Sequence, residues 1–284
     1  MKKYEMTNES IEFIGVKLFR IRALQDFRDV KAGDLGGYIE KEDNLSQYDY
    51  CWVYGNARVY GDAEVYGNTE VYGDARVYGD AEVYGDARVY GDAEVYGNAE
   101  VYGDARVYGD ARVYGDAEVY GDAWVHGDAW VYGDAWVYGD AEVYGDAWVY
   151  GDAEVYGDAR VYGDAEVYGN AEVYGDARVY GDAEVYGDAE VYDNAWVYGN
   201  ARVYGDAEVY KNTHLLQIGA IGSRDGITTF FRTKHKEIYV SCGCFTGDIE
   251  KFEKAVEEEH KGTKHEKTYK LAIELAKLQI ELED

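Results

Sequence analysis

The sequence predicts a mainly β protein: a left-handed parallel β-helix with three hexads per coil, closed by a small N-terminal β cap and a C-terminal α+β cap. Two observations predict it. From Val53 to Val209 a valine stands at every sixth residue without exception, giving 27 units of V-Y-G-[D/N]-A-x. In addition, when every third hexad is taken together, one of the three ladders of the variable position x is almost entirely Glu.

The hexad can be read chemically. In A-x-V-Y, side chains alternate across an extended strand, so Ala and Val share one face and x and Tyr the other. Ala and Val are compact and apolar and point inward. Position x holds Glu, Arg or Trp, and Tyr tolerates water at its hydroxyl. Gly followed by Asp or Asn supplies the corner, because these residues accept the backbone angles of tight turns. A helical reading fails, since Gly and β-branched Val in every hexad suit neither helical propensity nor the period of an α-helix.

The coil length follows from x. Taking every third hexad, one ladder contains Glu64, Glu82, Glu100, Glu118, Trp136, Glu154, Glu172, Glu190 and Glu208. A coil of two hexads would mix Glu, Arg and Trp in every ladder. Tandem duplication can produce the same pattern without a structural cause. It has occurred here, because Trp52, Trp124 and Trp196 recur at one constant spacing. The Val position continues at Leu215 and Ile221, and Leu45 and Cys51 fall on the Ala position. The expected repeat domain is therefore 45–221, between an N-terminal cap at 1–44 and a C-terminal region at 222–284.

The flanking regions differ from the repeats. Residues 1–44 read as short strands, with Gly33, Gly36 and Gly37 marking turns. ITTFF and EIYVSC read as a strand pair around a TKHK turn. DIEKFEKAVEEEH and KTYKLAIELAKLQIELE read as amphipathic helices. Ile273, Leu275, Leu278 and Leu282 form an apolar stripe that either packs on the last coil or joins a neighbouring subunit.

Composition narrows the function classes. The chain has 284 residues, 32 of them Tyr, no Pro, and a net charge of −29. Disordered acidic chains are poor in aromatics, and this one is 16% aromatic. The acidity disfavours direct nucleic-acid binding and anionic membrane surfaces. No apolar stretch is long enough to span a membrane, and no leader is visible, so the cytoplasm is the expected location. Three cysteines do not make a disulfide framework.

V-x-G-[D/N]-A-x resembles the hexapeptide repeat of left-handed β-helix proteins, a family that includes many acyltransferases. Tyr after Val departs from the commonest pattern, where a smaller residue often stands. The segment ALQDFRDVKAGDLGGYIEKEDNLSQYDYCWV resembles the head of uncharacterised bacterial β-helix proteins described as transferases. IGSRDGITTFFRTKHKEIYVSCGCFTGDIEKF is similar to the tail of phage and prophage β-helix proteins of Gram-positive bacteria. Enzymes of the hexapeptide family place active sites between subunits and use a histidine and protruding loops.

Against that pattern, this repeat has no insertion from 53 to 209 and offers no loop from which to build a pocket. His126 replaces a Tyr at an outward position and reads as a drifted Tyr, because a lone outward His does not meet the geometry of a general base. His214, at the last x position, meets the same objection. His235, His260 and His265 read as surface residues. Cys242-Gly243-Cys244 reads first as a buried structural pair and second as a metal or redox pair, although zinc normally needs four ligands. Cys51 reads as packing. Ser223, Arg224 and Asp225 form either an anion site or a turn. No catalytic residue, metal or cofactor is expected.

The outer surface carries the remaining readings. Between 53 and 209 there are 34 acids and 8 arginines. Stacked carboxylates repel by about 1 kcal/mol each in a water-like dielectric. They read as a solubilising surface, with cation binding or imitation of nucleic acid as the functional alternatives. Of the 27 outward positions after Val, 26 hold Tyr, which implies aromatic ladders or a binding face. Trp124, Trp130 and Trp136 fall in one coil, one on each side, with Trp148 one coil beyond Trp130. With His126, this belt is the expected contact zone. The reading is a non-enzymatic scaffold or protein-interaction module, homo-oligomeric, with a host protein as partner. One alternative is a phage counter-defence protein acting as an acidic decoy or sequestering a host factor. The other is a degenerate hexapeptide-repeat acyltransferase.

Overall fold

The computed structural model describes residues 2–283 and divides into two compact units, Met1–Asp152 and Ala153–Asp284. Both contain coils of a parallel β-solenoid, and each is described separately.

In the N-terminal unit, β1 (Tyr4–Phe13) and β2 (Val16–Ala23) form an antiparallel hairpin through Ile14 and Gly15, which both adopt positive φ. β3 (Leu35–Ile39) pairs antiparallel with β2 on one side. On its other side it pairs in parallel with Arg58–Val59. β3 thus changes antiparallel pairing into parallel pairing, and the parallel stack takes in residues upstream of 45. Gly36 and Gly37 were expected in turns but lie inside this strand. A Cβ on Gly36 would sit 2.5 Å from Ile21 and 2.6 Å from the Val53 carbonyl, and one on Gly37 2.5 Å from the Ala57 carbonyl. The glycines therefore permit close backbone packing rather than a turn.

The coils then stack in register at every third hexad: Arg88 faces Arg106, Val89 faces Val107 and Tyr90 faces Tyr108. Each coil supplies three short strands to three sheets. The inward Ala and Val side chains are fully buried. Thr69, which takes an Ala position, is also fully buried, and its hydroxyl donates to the Tyr66 carbonyl at 2.8 Å. At the corners, Gly85 has φ 73°, and an added Cβ would lie 2.8 Å from the Gly103 nitrogen in the next coil. Only glycine satisfies both the left-handed angle and the stacking distance.

The N-terminal cap buries what the hexad pattern places outside. Trp52 occupies an x position but is only 1% exposed, edge-on to Tyr4 and Phe27 at 6.2 and 5.4 Å. Lys3 is buried beside it and donates to the carbonyls of Asp49 and Cys51, both at 2.9 Å. Cys51 is buried, as its inward register implies.

In the C-terminal unit the coils continue with the same register, from Glu154–Val155 to Glu208–Val209. One corner departs from glycine: Asp193 has φ 54°. After the last coil strand comes a 3-10 turn at Asn212–His214. A four-stranded antiparallel meander follows: Leu215–Ile221, Gly226–Arg232, Ile238–Cys242 and Phe245–Asp248. The expected strand pair is therefore half of a larger sheet. Leu215 and Ile221 belong to its first strand, not to further coils. Antiparallel pairing of Leu215 with Phe231 replaces the parallel step.

This meander covers the last coil. The Asn212 side chain accepts from the Trp196 N–H at 2.9 Å, and the Tyr204 hydroxyl donates to the Val240 carbonyl at 3.0 Å. Such contacts blunt an edge that would otherwise pair with another chain. Buried Arg232 forms an ion pair with Glu208 of the last coil strand.

Two helices complete the cap, α1 (Ile249–Glu259) and α2 (Lys264–Gln279). Each begins at a side-chain cap: Asp248 accepts from the Lys251 N–H at 2.7 Å, and Thr263 from the Glu266 N–H at 3.3 Å. Phe252, Val256, Tyr269, Ile273 and Ala276 pack on Phe230 and Val240 of the meander. The expected stripe divides: Ile273 is buried, whereas Leu275 and Leu278 are exposed.

Asp193 offers a direct test of the corner. Asp193→Gly is expected to stabilise the chain by roughly 0.5–1 kcal/mol, the left-handed cost less the entropy of the added glycine. A higher urea midpoint at unchanged slope is the expected readout, and an unchanged midpoint would mean that the Asp side chain already offsets the cost.

Candidate functional site

Stacking at strand spacing turns each outward residue type into a column. Tyr72 and Tyr90 stack face to face at 4.8 Å with 2° between their planes, and Tyr84 and Tyr102 do the same. Glu64, Glu82, Glu100 and Glu118 form one column, ending at Trp136, in the N-terminal unit. Glu154, Glu172, Glu190 and Glu208 form one in the C-terminal unit.

The two ladders are joined by a bond that the sequence reading did not include. Each of several Tyr hydroxyls donates to a carboxylate at i+16, the diagonal neighbour in the next coil. Tyr66 reaches Glu82 at 2.7 Å, Tyr84 reaches Glu100 at 2.8 Å and Tyr102 reaches Glu118 at 2.8 Å. Tyr156, Tyr174 and Tyr192 reach Glu172, Glu190 and Glu208 at 2.9, 3.2 and 3.0 Å. The signal was available in the sequence, because a Tyr at i and a Glu at i+16 are diagonal neighbours whenever a coil has three hexads. Charge-assisted bonds of this kind offset part of the repulsion along each Glu column. Partial burial, followed by the neighbouring carboxylates, raises these phenols above their usual range, and Tyr168 is pushed to about 12.

Trp124, Trp130 and Trp136 lie in one coil, one on each of its three faces, as the register implies. Trp130 and Trp148 share a face and stack at 5.2 Å with 4° between their planes. The Arg112 guanidinium lies 4.9 Å from the Trp130 ring centre, and the Tyr132 edge meets Trp148 at 6.5 Å. Trp148 is 38% exposed and Trp136 40%. The Trp130–Trp148 face therefore combines large aromatic area, a fixed geometry and access to solvent.

His126 continues a Tyr column. Its ring is sandwiched between Tyr108 at 4.6 Å and Tyr144 at 5.0 Å, and burial holds its pKa below the usual value. His214, read as outward, is instead fully buried at the end of the last coil. Its ring packs edge-on to Tyr210 at 4.2 Å. Burial, then the charges of Arg232 and Lys211, pushes its pKa down to about 4. His235 is exposed beside Asp206, 3.6 Å away.

The cap contains a cavity of about 460 Å³ between the meander and the two helices. It gathers Ser223, Arg224, Cys242, Cys244 and His260 around an apolar floor that includes Phe245, Phe252 and Val256. Cys242 and Cys244 are not the buried pair expected. Cys242, at the strand end, accepts from Thr228 at 3.1 Å and donates to the Tyr269 hydroxyl at 3.5 Å. Cys244 is exposed beyond the turn at Gly243, whose φ is +58°. Asp225 adopts positive φ in the hairpin turn beside Ser223 and Arg224. Among the described residues, no group of three or more His, Cys, Asp or Glu is placed to hold a metal ion. None of the described helices is long and apolar enough to cross a membrane.

In-register coils, each of three V-Y-G-[D/N]-A-x hexads, closed by a β cap and an α+β cap, define a β-solenoid repeat protein. The repeats at 53–68, 99–115, 111–127 and 195–211 match the YdcK beta solenoid repeat. Over 62 residues the chain is 39% identical to the uncharacterized acetyltransferase YdcK of Escherichia coli (strain K12). That match covers 19% of this chain and 19% of the relative, so the chain spans about a fifth of the relative it matches.

The raised phenols give the fold a defined alkaline limit. An unfolded tyrosine loses its proton near pH ~10, and a carboxylate-bonded tyrosine such as Tyr84 or Tyr102 only at higher pH. The stability they contribute is complete below pH ~10 and is lost as pH rises through their raised values, about 12 for Tyr168. Circular dichroism with tyrosinate absorbance is expected to show loss of structure beginning above pH ~10. The double substitution Tyr84→Phe and Tyr102→Phe is expected to make that loss shallower. Free titration of all tyrosines near pH ~10 in the folded chain would contradict the bonding scheme.

Proposed function

We propose that the chain is a non-enzymatic scaffold whose outer face engages a protein partner. The observation that carries this reading is the stacked Trp130–Trp148 pair, flanked by Arg112 and Tyr132. Rigid aromatic side chains with adjacent arginine are the preferred anchors of interfaces. The strict three-hexad register supports the same reading, because it leaves the coils without inserted loops from which to shape a catalytic pocket. A host protein is the partner class proposed.

The test compares the full-length chain with the double variant Trp130→Ser, Trp148→Ser in affinity capture from host extract. A protein retained by the wild type at raised ionic strength and lost with the variant, at unchanged thermal unfolding, supports the reading. Equal retention by both removes the tryptophan face from it. Capture that vanishes with salt would instead favour an acidic decoy, whose attraction is electrostatic and screened.

A second reading, acyl transfer, is favoured by the similarity to a protein named an acetyltransferase. It predicts a measurable heat of binding for acetyl-coenzyme A to the full-length chain. Absence of binding by calorimetry removes it.

A further inference from the structure

α2 has two apolar faces, and the fold uses one of them. Tyr269, Ala272, Ile273, Ala276 and Ile280 are buried in the cap core. On the opposite side Leu271, Leu275 and Leu278 are 66%, 45% and 85% exposed. Their i, i+4 and i, i+3 spacings align them in one stripe. Single exposed leucines are ordinary, but a row of three along one helix face marks a surface that is covered in use.

We propose that this stripe pairs with the same stripe on a second copy of the chain, the two α2 helices running antiparallel about a two-fold axis near Leu275. The charge distribution favours this cap over the repeats, and the charges flanking the stripe match it to a second copy. Of the net −29, the repeats from 53 to 209 carry −26 and residues 211–284 carry −1. Residues 1–52 carry the remaining −2, so two copies meet at lower electrostatic cost through either cap than through the repeats, and of the two caps the C-terminal one presents the exposed leucine row.

Charge also selects the direction. In the antiparallel arrangement Leu271 meets Leu278 of the second copy, and Leu275 meets its own equivalent. Lys267, which has no ion pair among the described residues, then flanks Glu281 of the second copy, and symmetry forms this contact twice. Glu281 is half exposed and also reaches Lys211 of its own chain at 3.5 Å. A parallel pair would set Lys267 against Lys267 and Glu281 against Glu281. One contact opposes the dimer: Glu274 flanks the centre and faces its own equivalent across the axis. A two-helix contact lies at the small end of specific interfaces, so the association is concentration-dependent.

Sedimentation equilibrium of the full-length chain is expected to show a reversible monomer–dimer transition. Leu275→Glu with Leu278→Glu is expected to leave only monomer, with circular dichroism and thermal unfolding unchanged because both side chains are exposed. Lys267→Glu is expected to weaken the dimer several-fold, and adding Glu281→Lys to the same chain to restore it. Glu274→Gln is expected to tighten the dimer several-fold. Leu275→Cys in a Cys244→Ser background is expected to give a covalent dimer on oxidation that Cys244→Ser alone, treated identically, does not give. A chain monomeric at every concentration overturns the proposal. So does an oligomer indifferent to the leucine substitutions, and failure of the charge exchange to restore association overturns the antiparallel arrangement.

Discussion

Everything in this protein depends on in-register stacking of one three-hexad coil on the next. The hexad cannot bury its Ala and Val alone, and a single coil leaves both of its backbone edges unpaired. Stacking resolves both problems together. The inward residues meet their equivalents above and below, and backbone N–H groups find carbonyls in the neighbouring coil, as from Arg88 to Ala105 at 2.9 Å. The corner glycines set the tolerance of this step. Gly85 and Gly103 approach so closely that a methyl group between them would collide with backbone.

The same register governs the surface. A residue type repeated at every third hexad becomes a column, whether or not a column is favourable for that residue. For Tyr it is favourable, because rings stack at the strand spacing. For Glu it is not, because carboxylates meet carboxylates. The Tyr-to-Glu hydrogen bond across the diagonal reconciles the two, with an aromatic ladder supplying donors to an acidic one. The surface is thus a network of linked side chains rather than a set of independent solvated charges. Substitutions at Tyr and at Glu are expected to be non-additive for that reason.

The ends follow different chemistry because they lack a further coil. Near the N-terminus, β3 accepts antiparallel pairing on one side and parallel pairing on the other. At the C-terminal end, Asn212 and Arg232 contact the last coils with their side chains, and Tyr204 of the coils reaches the Val240 carbonyl of the meander, where backbone would otherwise be bare. Most of the chemically distinctive residues, including both C-x-C thiols and all histidines except His126, lie after the last coil strand.

The sequence alone determined the period, the inward and outward faces, the glycine corners and the existence of both helices. Each of these depends on residues close in sequence or on a pattern repeated many times. The tertiary structure decided what distant segments do to identical local patterns. Trp52 and Trp196 occupy equivalent places in the hexad, yet one is 1% exposed beneath the N-terminal cap and the other 41% exposed. His214 and Leu215 keep hexad spacing, yet antiparallel pairing with the strand Gly226–Arg232 takes this segment out of the coil, with the histidine buried. Cys242 and Cys244 have the spacing of a same-face pair, but a turn between them places one against Tyr269 and the other in solvent. On α2 the helical period fixes two apolar faces, and only packing against the meander decides which is core and which is left exposed. The physical reason is common to these cases. A hexad or helical period specifies which way a side chain points relative to its own backbone, whereas burial depends on what another part of the chain brings to that side.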